Sequence, residues 1–364
     1  MEIRVKRSDF LAELVPMQGI VERRTTIPVL SHLLLTAQDD QLRIAATDLD
    51  VSLTSWVEAE ARREGAIAVQ AKKFIEIIRA LVGEQVKLAL DEKALTITAG
   101  SSRFKIHGLP AQDFPTLPEV GKERAIEVPF AQLRRMVAKI LFAVSSEESR
   151  FQLNGALLKM KPKALEMVAT DGHRLALVEG AVEGVKDEDG VLVPRKALQE
   201  LQRFEGDGDL AFRRGEHHLS FRLGRRELIC RILEGTFPDY ERVIAKDNDK
   251  KAIFDRRMLA EAVARVALLT GDRARAVRLQ LRPEVLTLSA ANPDLGEAVE
   301  EVGCEYGGSE LKLGINPDYL AQFLAAAETE KVRLELKDEN TQCVGFPVDG
   351  EDRRYLCVIM PMRI

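Results

Sequence analysis

The sequence predicts an α+β fold built from three copies of one unit of about 120 residues. Three recurring features predict it. The first is a shared opening: EIRVKRSDFLAELVPMQGIV from Glu2, AIEVPFAQLRRMVAKILFAV from Ala125 and KAIFDRRMLAEAVARVALLT from Lys251. The second is the pattern after it, a strand, a polar turn and a second strand. The third is a short helix followed by further alternating strands.

Each opening starts with a brief β-like stretch and passes into an amphipathic helix. In the second copy Leu133, Met136, Val137, Ile140 and Leu141 recur at helical spacing and mark one buried face. In the third, Leu259, Ala262, Val263 and Val266 do the same. The paired strands follow as LSHLLLTAQDDQLRIAATDLDVSL, LNGALLKMKPKALEMVATDGHRLAL and VRLQLRPEVLTLSAANPDLGEAVEEV. Asp48, Asp171 and Asp294 occupy matching places, 123 residues apart. The second helices are KKFIEIIRAL, RKALQELQRF and PDYLAQFLAA, and strands such as VKLALDEKALTITAGSSRFKIHGL close each unit. The expected domains are therefore 1–124, 125–247 and 248–364, each setting two helices against antiparallel sheet.

Composition narrows the class. Of 364 residues, 46 % are hydrophobic and 30 % charged, a profile that supports a packed globular core. No apolar run approaches a membrane span, and MEIRVKRSDFLAEL lacks the apolar stretch of a signal peptide; a cytoplasmic protein is expected. Cys230, Cys304, Cys343 and Cys357 show neither CxxC pairing nor nearby His at ligand spacing, so they read as small core residues in a reducing compartment, with no metal or cofactor. A net charge of −5 argues against coating nucleic acid over the whole surface. Residues 1–124 hold 17 basic and 18 acidic side chains, 125–247 hold 20 of each, and 248–364 hold 16 and 20, so most of the negative excess lies in the last repeat.

The segments TDLD (47–50), RFKIHGLPAQDFP (103–115), LNGALL (153–158), ATDGHRLAL (169–177), FPDYERVI (237–244) and VIMPMRI (358–364) fall in one order across the whole chain. Together they resemble the bacterial beta sliding clamp family. The resemblance implies a head-to-tail homodimer whose six similar domains form a closed ring, with helices lining the hole and sheet outside. It also implies sequence-independent contact with double-stranded DNA, and partners such as the clamp loader, replicative polymerase and repair proteins.

For DNA, the polar helix faces offer Arg135 and Lys139 on one helix and Arg195 and Arg203 on another. The bland alternative is an ordinary solvated face. Long cationic side chains that meet phosphates loosely would hold DNA without reading it. The resemblance adds Arg24, Lys72, and the loop pair Phe151 and Gln152, the last preceded here by the acidic Glu147 and Glu148.

For partners, the resemblance implies a hydrophobic cleft that grips short linear peptides. The carried-over residues are Leu153, Thr170, Gly172, His173, Arg174, Leu175, Pro238, Arg242 and Val243, with Asn316 and Tyr319 from the third repeat. The tail supplies Val358, Ile359, Met360, Pro361, Met362 and Arg363. Leu, Val, Ile and Met make an adaptable apolar floor, and Arg174, Arg242 and Arg363 could orient a peptide at the rim. The alternative is that VIMPM is a last core strand.

For the head-to-tail joint, Lys73, Arg103, Phe104 and Ile106 of the first repeat are expected to meet Leu268, Leu269, Glu297, Glu300 and Glu301 of the third, unlike charges around an apolar centre. Two rivals stay open. Asp171 and His173 could be imagined as a catalytic base and its orienter, but no GxSxG, metal-spaced His pair or phosphate loop accompanies them. A clamp-like scaffold that binds peptides without encircling DNA is the other.

Overall fold

The computed structural model describes residues 1–22, 25–121, 125–183, 188–271 and 275–363. The first repeat runs β1 (Glu2–Lys6), α1 (Arg7–Met17), β2 (His32–Gln38), β3 (Gln41–Thr47), β4 (Val51–Arg63), β5 (Gly65–Gln70), α2 (Ala71–Ala80), β6 (Gln85–Asp91), β7 (Ala94–Ala99) and β8 (Ser102–Pro110). The second runs β9 (Ile126–Pro129), α3 (Phe130–Ile140), β10 (Gly155–Lys161), β11 (Ala164–Thr170), β12 (Arg174–Ala181), β13 (Glu188–Pro194), α4 (Arg195–Arg203), β14 (Asp209–Arg214), β15 (His218–Leu223) and β16 (Arg226–Arg231). The third runs β17 (Lys250–Asp255), α5 (Arg256–Ala267), β18 (Val277–Arg282), β19 (Val285–Asn292), β20 (Gly296–Gly303), β21 (Leu311–Ile315), α6 (Pro317–Ala326), β22 (Lys331–Leu336), β23 (Cys343–Pro347) and β24 (Arg354–Ile359). The same order of eight strands and two helices thus occurs three times among the described residues, and every pairing is antiparallel. The fold is α+β with repeated domains.

Local chemistry sets the helices. In α1 the buried residues Phe10, Leu14 and Met17 fall at i, i+4 and i+7 and form one stripe. The Gln70 side chain accepts the Lys73 amide at the start of α2. Asp255 accepts from Met258 N at α5, and Asn316 from Asp318 N at α6; each satisfies an amide that the first turn leaves orphaned. Of the cysteines, Cys230, Cys343 and Cys357 are buried and Cys304 is partly so, all unbridged. Burial pushes the Cys343 thiol up to about 12.

Compactness divides the chain differently from repetition. One unit comprises Met1–Ala131 and Lys196–Ile232, the other Gln132–Arg195 and Leu233–Ile364. The first unit contains a twelve-stranded sheet in the order β1-β6-β7-β8-β5-β2-β3-β4-β16-β15-β14-β9, with β1 also pairing β4. The second contains an eight-stranded sheet, β13-β10-β11-β12-β24-β23-β22-β17, and a four-stranded one, β20-β19-β18-β21. Each unit therefore holds one joint of the same kind, in which the fourth strand of a repeat pairs with the last strand of the next. In the first unit Ser52 stands opposite Ile229 and Thr54 opposite Glu227. In the second Leu175 stands opposite Val358 and Leu177 opposite Leu356.

One expected equivalence shifts. Asp48 Oδ1 accepts from the Asp50 and Val51 amides, and Asp171 Oδ1 from those of His173 and Arg174. In the third repeat the acceptor is Asn292, which takes the Asp294 amide. β19 begins two residues earlier than the 123-residue spacing predicts, so the side chain that closes the bend is Asn292 rather than Asp294.

Candidate functional site

The TDGHRL segment is a tight bend between β11 and β12. The Thr170 hydroxyl donates to Arg174 O at 2.6 Å and accepts from Gly172 N at 3.1 Å. Gly172 has φ of +89°, a region costly for a side chain bearing Cβ. The first repeat makes the same bend with Leu49 at φ of +83°. Asp171, imagined above as a catalytic base, is committed to two backbone amides and to Arg174 Nε at 3.0 Å. His173 stands exposed beside it, and its carbonyl accepts the Met360 amide at 2.9 Å.

Behind this bend lies an apolar floor. Val168, Leu175, Leu177, Tyr240, Ile244, Val344, Leu356 and Val358 form one buried cluster, with Leu157, Phe237, Val243, Ala245 and Phe346 packed against it. The segment from Phe237 to Ile244 makes one wall, its centre a short helical turn at Tyr240–Arg242. Leu153 and Ile359 are buried and Met360, Pro361 and Met362 half-buried; Pro238, Arg242 and Arg363 are exposed. The tail is tied down where the Met362 amide reaches Gly314 O at 2.9 Å. Asn316 caps α6, and Tyr319 offers its ring to the Arg174 guanidinium 4.3 Å away. Burial, then the charge of Asp171, raises the Tyr319 pKa. The expected cleft residues thus converge within the second unit.

Arg174 differs from its expected role. Its side chain is 10 % exposed and is spent on Asp171, Phe142 O, Gln322 and the Tyr319 ring. It braces the rim instead of reaching for a peptide. Arg242 is 86 % exposed and paired with Asp239 at 2.7 Å, so it is the freer cation. Leu177, Val344, Tyr240 and Phe346 were not singled out from the sequence. The period of two from Leu175 points to Leu177; Val344 joins only through its pairing with Val358, which no local pattern reveals.

The cationic residues sort unequally. Arg24 lies outside the described residues. Lys72 is exposed on α2, and Phe151 is 56 % exposed beside the half-buried Gln152. Lys139 overturns the expectation of a solvated DNA contact. It is 4 % exposed, lies 5.2 Å from the Tyr355 ring centroid, and its ammonium meets Asp352 at 2.5 Å and Glu328 at 3.2 Å. Arg135 on the same face bonds Glu351 at 2.5 Å and Asp352 at 3.4 Å. The hairpin between β23 and β24 supplies three of these four carboxylate contacts and spends both cations internally. Arg195 reaches the carbonyls of Val144 and Ser145, and Arg203 the Glu200 carboxylate at 2.5 Å. Glu200 is itself buried, and burial raises its pKa. Among the described residues no group of three or more His, Cys, Asp or Glu is arranged to hold a metal, and no helix is long and apolar enough to cross a membrane.

The residues expected at a head-to-tail joint lie on the strands β8 and β20, on α2 (Lys73) and just after α5 (Leu268 and Leu269). Among the described residues β20 pairs only β19, and it is largely exposed, including Glu297 and Glu301, with Val299 at 62 %. Glu300 is held by Arg265, and Glu301 by Arg282. Along β8, Ser102–His107 pair, among the described residues, with β7 alone, leaving Arg103 and Phe104 exposed and Ile106 half-exposed. Leu268 is 77 % exposed, Leu269 half-buried, and Lys73 exposed with Glu76 at 2.7 Å.

Residues 1–118, 127–239 and 241–363 match, in turn, the family models described as the DNA polymerase III beta subunit N-terminal, central and C-terminal domains. The chain is 38 % identical over 369 residues to the Beta sliding clamp of Pseudomonas aeruginosa, covering all of both proteins. It superposes on the crystal structure of the DNA polymerase III subunit beta from that organism with a TM-score of 0.95 at 38 % identity, again over both full chains. A sliding clamp from Bartonella birtlesii bound to griselimycin gives a TM-score of 0.96 at 34 % identity and full coverage of both.

Proposed function

The chain belongs to the DNA polymerase III beta subunit family, the bacterial beta sliding clamps, and from that premise we propose that two copies close head to tail around duplex DNA and tether replicative polymerase, clamp loader and repair proteins through the cleft. The protein holds by geometry and carries out no bond-making chemistry, in keeping with an Asp171 wholly engaged in its own turn.

The observation that carries this reading is the joint that occurs twice and wants a third. β4 pairs β16 and β12 pairs β24, while β20, the corresponding fourth strand of the last repeat, has an open edge. The corresponding last strand of the first repeat, β8, is open along Ser102–His107. A long exposed edge strand invites pairing, and a heterologous contact that closes makes a ring. Carrying over the antiparallel pairing of the other joints would set the acidic β20 against the partner subunit's Arg103 and the partner subunit's Lys105, which matches unlike charges. Three domains in each copy, near 1–124, 125–247 and 248–364, then give six.

In the cleft, half-buried Met360, Pro361, Met362, Val243 and Phe237 over a buried aliphatic floor suit apolar peptide side chains. We expect griselimycin to occupy it. The exposed Lys72 and the undescribed Arg24 are the better DNA contacts; Lys139 is not one.

The native mass in solution tests the ring. Twice the chain mass is expected for the wild type, and Phe104→Asp or Leu269→Asp should give monomers in sedimentation. A dimer of unchanged affinity in both variants contradicts this placement of the joint.

A further inference from the structure

Beneath the cleft wall a carboxylate sits where an apolar residue would be cheaper. Glu166 on β11 is fully buried, and its two oxygens are divided. Oε1 accepts the Tyr240 hydroxyl at 2.5 Å, and Oε2 accepts Lys161 Nζ at 2.5 Å. Directly across the strand pair stands Glu179, a like charge at a position where like charges repel. Lys161, from β10, reaches Glu179 as well, at 3.2 Å, and so holds both. Burial works against the charged form of Lys161, but the bond to Glu166 and the fields of both carboxylates outweigh it and raise its pKa. Burial, with the Glu166 bond behind it, raises the Tyr240 pKa too, so the phenol keeps its proton and donates.

A buried ion pair of this kind is a poor way to gain stability, since well-packed hydrophobic residues usually do as well. What it provides is a fixed point. Tyr240 is the centre of the wall segment; its ring packs edge-on to Phe237 at 6.3 Å, and Val243 follows three residues later on the same turn. The other ties on this turn are at the surface: Glu241 to Arg354 at 3.0 Å and Arg242 to Asp239. Val243 and Ile244 add apolar packing, which is non-directional and tolerates sliding.

We infer that the Tyr240–Glu166 hydrogen bond, backed by Lys161, is a positioning staple that sets the depth of the peptide cleft by fixing the Phe237–Ile244 wall against β11. Glu166 and Lys161 touch no peptide; they act through Tyr240. The inference rests on the cleft reading above. The corresponding place in the first repeat has Arg43, exposed, in line with Glu166, and Leu117 in line with Tyr240, so the staple belongs to the second unit's joint and not to the fold in general.

The test uses the full-length protein, griselimycin as probe, and amide hydrogen exchange. Tyr240→Phe removes the donor while keeping the ring; it should weaken griselimycin on the order of tenfold, as expected for losing a bond to a charged acceptor, and speed exchange at 238–244 while β10–β12 stay protected. Glu166→Gln keeps a carbonyl for the phenol and should stay within about threefold of wild type. The double variant should be no weaker than Tyr240→Phe alone. Unchanged affinity and unchanged exchange in Tyr240→Phe, with only a lowered melting temperature, overturn the staple. A wild type that ignores griselimycin overturns the cleft reading, and the exchange data still decide the staple.

Discussion

The joint β4–β16 in the first unit and the joint β12–β24 in the second share a register but not a surface. Where the second has Leu175 and Leu177, the first has Ser52 and Thr54; Val344 and Val358 are matched by Ser220 and Ile229, and Leu356 by Glu227. The first unit's groove is a cavity of about 380 Å³ lined by Arg43, Ser52, Thr54, Trp56, Glu227 and the 117–120 segment. Phe114 and Leu117 of its linker also pack on Val29, Leu30 and Ala68. One backbone plan therefore yields an apolar cleft in one place and a polar groove in another. The repeat dictates where a groove can be; the side chains facing it decide what it holds.

The ion pairs under the two joints differ in the same way. In the first, Glu13 of α1 takes Arg226 of β16 in a two-pronged pair at 2.7 and 3.0 Å. In the second the polarity is reversed, with Arg135 and Lys139 on the helix and Glu351 and Asp352 on the hairpin.

The largest expected effect breaks this second pair. Asp352→Ala strands the buried Lys139 ammonium beside Glu328 alone and should cost about 3–5 kcal/mol in urea unfolding. Glu13→Ala should cost less, about 1–2 kcal/mol, because Arg226 keeps the Ala12 and Glu205 carbonyls. Equal losses would erase the distinction between the joints.

Next comes the floor. Leu177→Thr gives the cleft its counterpart's residue and should weaken griselimycin about thirtyfold, near 2 kcal/mol, in a direct binding titration. Thr54→Leu in the groove should leave that affinity alone. If the two variants behave alike, the ligand does not choose the second unit's cleft.

The smallest effect concerns the paired bends. Gly172→Ala puts a Cβ at φ of +89° and should lower stability by about 1 kcal/mol, whereas Leu49→Gly relieves the same strain and should be neutral or slightly stabilising. Thermal melts of both variants check this. A destabilised Leu49→Gly would mean that leucine's side chain matters more there than its backbone.

Much of this was legible in the sequence, because it is local. The three openings, the strand pairs and the TDGHRL bend are written in runs of ten to twenty residues, where periodicity and turn chemistry dominate. What escaped depends on chain segments far apart. Lys139 flanks the apolar stripe of α3 and reads as solvated; only the hairpin some 213 residues later covers it. Arg174 reads as a rim cation until Gln322 and Tyr319 arrive from α6. Glu166 looks like a strand's outward charge, and its partner Tyr240 is 74 residues away. Asp294 matches by spacing, but β19 begins two residues earlier than that spacing predicts and puts the bend's acceptor at Asn292.

The most direct test of encirclement is topological. The protein, assembled with a clamp loader on nicked circular duplex DNA, is passed over a sizing column before and after one restriction cut. A closed ring should co-elute with the circle and leave once the DNA has ends. Protein that stays on the linear DNA, or never stays on the circle, would contradict a clamp that holds by being threaded.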